Sequence, residues 1–343
     1  MIGILKTGKK KKSRTPLPFW ALGRDYVQPG EMFIFQISGF LAGGLAPGNK
    51  NCVAAKWEGN EDALGALTLE NGTLLLLADS HFGRFAGEQA LAQFEEIFQE
   101  TQGTGEARLF HTLLNLDEWI RAMKLKETPP IHPSCATTLI AAWIVNGTVT
   151  WCSVGDSFLW HIRRGEATSL NERTQVFMAD SAPMLSPMVE VLETWHGAMT
   201  AEELLSSNEL WWTLSLINRY VRGLDSAGKS MDELLNQLKT LLNLADSERL
   251  EGLRKSWHPW HLSLQSLLPE WGKRRLQQGD YLLLASDGVE ERVTGVPLEE
   301  LVGLVSINAG TTLSKVRQLI QACNGRKGGG DNTCCWLWEQ PNL

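Results

Sequence analysis

The sequence predicts a mixed fold of the α+β class, on the evidence of three local patterns. Thr73–Ala78 is an unbroken apolar run with the length of a buried strand. Two stretches, 85–100 and 106–126, follow it with apolar residues at helical spacing. Asn146-Gly147 then separates two apolar runs, and this dipeptide adopts the positive φ angles that a tight hairpin turn requires. Strands, a helical pair and further strands in this order are typical of α+β proteins.

The remaining elements are predicted from the same periodicities. Apolar runs bounded by turn-forming residues predict strands at Phe33–Ala46, Thr137–Val145, Thr148–Val154, Asp280–Ser286 and Asn332–Trp338. Helical spacing predicts one more helix at Leu313–Cys323. The longest apolar run, Phe33–Ala46, contains polar residues and falls short of the roughly 20 residues that a membrane-spanning helix requires. No membrane span is therefore expected.

Changes in composition divide the chain into three parts. Residues 1–30 are basic and interrupted by prolines, so we expect a tail or a loosely packed arm. Residues 31–343 are expected to form one domain, because a chain with 43% hydrophobic residues can bury a large core. Within it, leucine-rich helical patterns and several tryptophans predict a helical insertion at about 180–275. A secretory signal is the rival interpretation of the first part, but prolines separate its basic residues too far from the apolar run.

Composition also restricts partners and compartment. The net charge of −7 disfavours nucleic acid as a partner, because a polyanion binds basic surfaces. Any phosphate chemistry would therefore need bound cations. The six cysteines show no Cys-x-x-Cys spacing, and a chain of this size does not depend on disulfides. We therefore expect a cytoplasmic protein.

Four aspartates lie beside predicted strands. Asp79, Asp156 and Asp287 follow apolar runs, and Asp331 precedes one. If the strands pack side by side, these carboxylates could meet at one edge of the sheets, where their mutual repulsion would require cations. Carboxylate oxygens favour Mg²⁺ or Mn²⁺, and two such ions can activate a water for hydrolysis of a phosphate ester. Each aspartate alone is also a common turn residue.

A set of short motifs in a fixed order resembles the metal-dependent protein phosphatases of the 2C family. The motifs are Asn60-Glu61-Asp62, Ala78-Asp79-Ser80-His81-Phe82-Gly83, Ser134-Cys135-Ala136-Thr137-Thr138, Val154-Gly155-Asp156-Ser157, Ala285-Ser286-Asp287-Gly288 and Gly330-Asp331-Asn332. They cover roughly residues 52–175 and 276–338, and each is weak alone while the ordered set is specific. The resemblance implies a four-layer α-β-β-α sandwich of two antiparallel sheets flanked by helices, with the helical insertion added to it.

The resemblance also implies ligands for two Mn²⁺ or Mg²⁺ ions in a cleft at one sheet edge. Asp79 would bridge both ions, and the backbone carbonyl of Ser80 would join the coordination. Glu61 would serve one ion, through water or directly. Asp287 and Asp331 would hold the other.

Two further roles follow from the resemblance. Asp156 with Asp287 corresponds to a weaker third-metal position, near Thr137. His81 corresponds to a histidine proposed to protonate the leaving alkoxide, a role that suits an acid whose pKa lies near 7. Asp79 and His81 are therefore the expected catalytic residues.

The sequence departs from the family pattern at several positions. Trp57 occupies the place, three residues before Asn60, where the family has a phosphate-binding arginine, and tryptophan cannot make that bidentate contact. Lys56 or Arg84 are candidates to replace it. Ser80 and Phe82 stand where the family has glycines, so the turn after Asp79 must form without glycine at those points. None of these changes removes a carboxylate.

Three functions are compatible with these residues. The leading hypothesis is a phosphoserine/phosphothreonine protein phosphatase in cellular signalling, acting on a phosphorylated protein and paired with a cognate serine/threonine kinase. The alternative is a weak or inactive relative that binds phosphoproteins or another partner through its helical insertion, which Trp57 motivates. A phosphatase that acts on a small metabolite is the third, because fold does not fix substrate.

Overall fold

A computed structural model describes most of the chain outside the predicted insertion. It covers residues 17–28, 30–48, 59–69, 72–124, 126–127, 131, 135–171, 269–289, 296–306, 310–325 and 331–342. Trp57, Lys56, residues 1–16 and the predicted insertion from 180 to 268 lie outside the described residues. The division of the chain into a catalytic domain and an inserted helical region therefore stays a prediction.

The strands and helices follow one another as in an α+β protein. In chain order the strands are β1 (Phe19–Leu22), β2 (Phe33–Ser38), β3 (Leu41–Ala46), β4 (Asp62–Leu69), β5 (Gly72–His81), β6 (Ala136–Thr137), β7 (Leu139–Val145), β8 (Thr148–Val154), β9 (Phe158–Arg163), β10 (Glu166–Ser169), β11 (Glu270–Arg275), β12 (Tyr281–Ala285) and β13 (Thr333–Glu339). The helices are α1 (Phe85–Glu100), α2 (Gly105–Lys124), α3 (Leu298–Ser306) and α4 (Thr312–Gly325). Among the described residues, no helix is long and apolar enough to cross a membrane.

The strands form two antiparallel sheets. The first sheet has the order β1-β4-β5-β7-β8-β11, and β6 pairs with the end of β5. The second sheet has the order β10-β9-β12-β13-β3-β2. Asn146 and Gly147 connect β7 to β8 with φ angles of 48° and 70°, which confirms the predicted hairpin.

Alternating side chains of β5 explain why its sequence is apolar throughout. Leu74 and Leu76 pack in a cluster with residues of α1 and α2, whereas Leu75 and Leu77 pack in a second cluster with residues of the other sheet. A third cluster joins the outer face of the second sheet to α3 and α4. A strand that is covered on both faces needs apolar residues at every position. The predicted four-layer α-β-β-α sandwich is therefore confirmed.

Three predicted boundaries need correction. Phe33–Ala46 is not one strand, because a turn at Gly39-Phe40 divides it into β2 and β3. Residues 19–22 were expected to be loosely packed, but they form β1, which pairs with β4 and buries Ala21. The insertion was expected to extend to residue 275, but Glu270–Arg275 forms β11, which pairs with β8 in the first sheet.

A buried ionic network stabilises the second sheet at the end where β12 begins. Asp280, with 4% of its side chain exposed, accepts hydrogen bonds from Arg163 Nε at 2.9 Å and Arg163 Nη2 at 2.7 Å. His161 Nε2 lies 2.9 Å from the same carboxylate, and the backbone N–H of Gln277 donates to it at 2.7 Å. Burial alone would raise the pKa of Asp280, but these hydrogen bonds outweigh burial and lower it to about 2.

We predict that Asp280→Asn lowers the free energy of unfolding by about 2 kcal/mol at pH 6, because the ionised carboxylate is preferred by the folded state. The pKa of Asp280 is lowered on folding, so its contribution is complete above pH 4 and is lost as the pH falls towards 2. Urea unfolding should therefore show a stability difference between wild type and variant that narrows from pH 5 to pH 2.5. Glu166→Gln, at an exposed position of β10, is the control and should show no such difference. A constant difference over this range would contradict the prediction.

Candidate active site

The first sheet ends in acidic residues at one edge. Asp62, at the start of β4, is the cross-strand partner of Asp79 near the end of β5. The next strands end at the same edge, since Leu139 of β7 pairs with Val154 of β8. Gly155 and Asp156 form the bend that follows β8. Asp79 is not beyond its strand, as the sequence suggested, but is part of β5, which continues to His81.

The second sheet brings its own acidic residues to the corresponding edge. Ala285, the last residue of β12, pairs with Cys335 of β13 and with Phe158 of β9. Asp287 lies two residues further on, in a short 3-10 turn, and Asp331 precedes β13. Both are largely buried, with 9% and 6% of the residue exposed.

Three hydrogen bonds join the two sheets at this edge. Ser286 Oγ donates to Asp62 Oδ2 at 3.0 Å, and the backbone N–H of Glu61 donates to Asn332 Oδ1 at 2.9 Å. The hydroxyl groups of Thr138 and Ser157 lie 2.8 Å apart. The strand ends of the two sheets are therefore held together by side chains. We call the acidic residues at this place the acidic edge: Glu61, Asp62, Asp79, Asp156, Asp287 and Asp331.

Asn332 fixes the relative positions of three segments that carry acidic residues. Its side chain accepts from Glu61 N–H and donates to the carbonyl oxygen of Pro47 at 2.7 Å. Its own N–H donates to Asp331 Oδ1 at 2.6 Å. The segment after β12 approaches so closely that a Cβ atom at Gly288 would lie 1.9 Å from the carbonyl oxygen of Asn332. Asn332 and Gly288 thus link the segments that carry Glu61, Asp287 and Asp331.

Asp62 and Asp79 extend the inter-sheet face of their strands. On β5, Asp79 and His81 alternate with Ser80, so they share the face of Leu75 and Leu77. Burial raises the pKa of the Cys334 thiol on β13, and the nearby negative charges of Asp62 and Asp79 raise it further. Both carboxylates therefore lie close to the second sheet. Like charges on directly opposed residues destabilise a sheet, so this pair favours a nearby cation.

The donor set fits a hard cation by its chemistry. The acidic edge supplies carboxylate oxygens, and Glu61, Asp62 and Asp79 are at most 1% exposed. Oxygen ligands of this type suit Mg²⁺ or Mn²⁺. As the side chains stand in the described part of the chain, no three histidine, cysteine or acidic residues form a group that could hold one ion.

The segment after Asp79 shows how the chain tolerates its departures from glycine. Ser80 Oγ donates to Thr137 Oγ1 at 3.2 Å and faces α1, where a Cβ atom at Gly87 would lie 2.3 Å from it. Gly87 thus provides the space that the Ser80 side chain occupies. Phe82 adopts φ = 56°, a left-handed conformation that is unfavourable for a bulky residue. The strain is localised directly beside His81.

Asp62 and Asn332 are the residues that sequence reasoning underrated. Both belong to motifs identified in the sequence, but neither was predicted to contribute to the site. The available sequence signal for Asp62 was its position next to Glu61. In the structure, the register of β4 with β5 places Asp62 opposite Asp79. The side-chain contacts of Asn332 connect residues far apart in the chain, so no local pattern could have revealed them.

The fold is shared with solved serine/threonine phosphatases. No protein-family profile and no curated protein sequence matches the chain. The serine/threonine phosphatase PstP/Ppp of Mycobacterium tuberculosis matches with a TM-score of 0.50 and 19% identity, over 88% of this chain and 98% of that chain. Stp1 of Staphylococcus aureus matches with a TM-score of 0.53 and 16% identity, over 92% and 97%. The catalytic domain of PstP in complex with two manganese ions matches with a TM-score of 0.50 and 18% identity, over 91% and 100%.

We predict that Phe82→Gly is more stable than Phe82→Ala by about 1 kcal/mol, because only glycine relieves the left-handed backbone while both variants lose the ring. Chemical denaturation of the two variants measures the difference. At Ala86, a buried position inside α1, the matched substitution Ala86→Gly should be destabilising, as is usual in a helix. An alanine variant at position 82 that is as stable as the glycine variant would show that the conformation carries no strain.

Proposed function

We propose that the chain is a metal-dependent phosphoserine/phosphothreonine protein phosphatase. The observation that carries the proposal is the acidic edge, where side-chain hydrogen bonds join carboxylate-bearing strand ends of the two sheets. The fold shared with serine/threonine phosphatases, one of them in complex with two manganese ions, supports it. Its substrate would be a phosphorylated protein. A cognate serine/threonine kinase would phosphorylate that substrate, and the chain would act in the cytoplasm.

Within this proposal, the acidic edge holds two Mn²⁺ or Mg²⁺ ions. Asp79 would serve both ions, and the backbone carbonyl of Ser80 would join the coordination. Glu61 would serve one ion, through water or directly, and Asp287 and Asp331 the other. Asp156 with Asp287 would form a weaker third position. Bound ions of this kind supply an activated water and neutralise the charge that develops on the phosphoryl group.

The surrounding residues of the chain would fix these carboxylates in place. Thr138 accepts a hydrogen bond from the Asp79 N–H at 3.0 Å and returns its own N–H to the Asp79 carbonyl at 2.9 Å. Ser286 holds Asp62, and its hydroxyl also accepts from the Cys334 N–H at 3.0 Å. Because the segments of Asp62 and Asp79 are restrained by these neighbours, little reorganisation of them would be needed when substrate binds.

His81 would act on the leaving group. It lies two residues after Asp79 on the same face of β5, at the end of the strand and only partly buried. The alkoxide of serine or threonine is a poor leaving group, and a protonated imidazole at this place can donate the proton that the oxygen needs. Asp79 and His81 are therefore the proposed catalytic residues.

The main alternative is a weak or inactive relative that binds phosphoproteins or another partner through the region around 180–275. It is motivated by Trp57, which stands where the family has a phosphate-binding arginine. A phosphatase that acts on a small phosphorylated metabolite would use the same site, and comparing phosphopeptides with sugar phosphates separates it from a protein phosphatase.

We predict that the purified protein hydrolyses an aryl phosphate in the presence of millimolar Mn²⁺, and that a chelator abolishes the rate. Asp79→Asn should lower kcat by at least about 100-fold, since it removes charge at the proposed centre. Glu100→Gln, at an exposed position at the end of α1, is the matched control and should retain the wild-type rate. Mn²⁺ should also raise the unfolding temperature of wild type. At a free Mn²⁺ concentration of 100 times the dissociation constant, the gain in the free energy of unfolding should be about 3 kcal/mol.

The outcomes separate the two functions. Folded wild-type protein that shows no rate above background with Mn²⁺ would overturn the proposed activity. If Mn²⁺ still stabilised that protein and not Asp79→Asn, the result would favour the binding protein over the enzyme.

A further inference from the structure

Two arginine side chains flank one carboxylate next to the acidic edge. Arg24 Nη1 lies 2.8 Å from Glu88 Oε2, and Arg84 Nε lies 3.4 Å from Glu88 Oε1. The side chains of Arg24 and Arg84 are 47% and 41% exposed, whereas that of Glu88 is 14% exposed. The carboxylate is therefore covered by two guanidinium groups that both reach solvent, and the cluster has a net positive charge.

The backbone of Arg24 is held against the segment that carries Glu61 and Asp62. Leu22 of β1 pairs with Ala63 of β4 in antiparallel register, so the next residue, Gly23, lies beside Asp62. Contact there is close, because a Cβ atom at Gly23 would lie 2.6 Å from the carbonyl oxygens of Asn60 and Asp62. The turn that carries Arg24 is thus fixed beside the acidic edge.

The turn is also tied to this segment by a side chain. Asn60 Nδ2 donates a hydrogen bond to the carbonyl oxygen of Tyr26 at 3.2 Å. Tyr26 in turn stacks on Phe33 with ring centroids 4.0 Å apart. The backbone of Arg24 therefore lies between Gly23 and Tyr26, both of which are packed against neighbouring segments.

Glu88 lies on the helical side of the first sheet, near the strand end that carries Asp79. It belongs to the first turn of α1, and its neighbour Gly87 is in close contact with Ser80 Oγ. Ser80 directly follows Asp79 on β5. The ion pair of Arg24 with Glu88 thus connects the segment of Asp62 to the helical turn that contacts Ser80.

We propose that Arg24, oriented by Glu88, binds the phosphate group of the substrate at the acidic edge; this inference rests on the proposed function. A phosphate monoester is a dianion, and it must approach buried carboxylates that repel it. A guanidinium group has five N–H donors in a fork that matches phosphate oxygens, and a single nitrogen, Nη1, makes the ion pair between Arg24 and Glu88.

The arrangement assigns different roles to the three residues. Arg24 is the phosphate-binding residue, and it provides from the turn after β1 the guanidinium that Trp57 cannot supply. Glu88 is a positioning residue, because it restrains a long flexible side chain in one place. Arg84 adds positive potential on the other side of Glu88. The turn Gly23–Asp25 is then a part of the substrate site.

The test compares Arg24→Met, Arg24→Lys and Glu88→Gln with wild type. The control is Arg274→Met, an exposed arginine of β11 paired with Val149, towards the opposite end of β8 from the acidic edge. For each Mn²⁺-loaded protein, KM and kcat for an aryl phosphate and the Kd for inorganic phosphate by calorimetry are measured. Thermal unfolding establishes that every variant is folded.

We expect Arg24→Met to raise both KM and the Kd for inorganic phosphate about tenfold to a hundredfold, the effect of losing hydrogen bonds to a charged group. The value of kcat should change by less than about threefold, because the contact is made in the ground state and the transition state alike. Arg24→Lys should fall between wild type and Arg24→Met, since lysine keeps the charge and loses the fork. Glu88→Gln should raise KM less than Arg24→Met does, and Arg274→Met should resemble wild type.

The binding measurement keeps this inference separate from the proposed activity. If wild type binds phosphate without turnover and Arg24→Met binds it more weakly, the role of Arg24 stands and the proposed activity fails. If wild type is active and Arg24→Met matches it in KM and in phosphate Kd, the role of Arg24 is overturned. Absence of phosphate binding by wild type, or equal losses in Arg24→Met and Arg274→Met, would overturn it as well.

Discussion

The structure depends on holding like charges together at one edge of a two-sheet sandwich. Asp62 and Asp79 are cross-strand partners in one sheet, and Asp287 and Asp331 lie just outside the ends of neighbouring strands of the other. Hydrophobic packing between the sheets fixes their separation, and the hydrogen bonds at this edge fix their register. The free energy that gathers the carboxylates comes from the apolar core. A core of this size can tolerate a repulsive edge that a smaller domain could not.

Much of the fold could be predicted because its local patterns are strong. The run Thr73–Ala78 and the turn at Asn146-Gly147 specify a buried strand and a hairpin without reference to the rest of the chain. Predictions failed where tertiary context decides. β1 is four residues long and follows prolines, so its pairing with β4 leaves no periodic signal. β11 carries Lys273 and two arginines on an exposed edge, a pattern that resembles a polar segment more than a strand.

The same division holds for the candidate site. Acidic residues beside strands could be found in the sequence, because a strand boundary is a local property. Which strands meet at that edge depends on sheet order, and the resemblance to a known family supplied that expectation. The contacts of Asn332 with Glu61 and of Arg24 with Glu88 join residues that are remote in sequence. Only the folded chain shows that Arg24, in a segment expected to be a tail, forms an ion pair with Glu88 of α1.

Anomalous X-ray scattering from crystals soaked in Mn²⁺ tests the convergence of the carboxylates most directly. We expect two manganese peaks within about 4 Å of each other, contacted by Asp79, Asp287 and Asp331. Peaks confined to other parts of the surface, or no peak at the acidic edge under millimolar Mn²⁺, would contradict it.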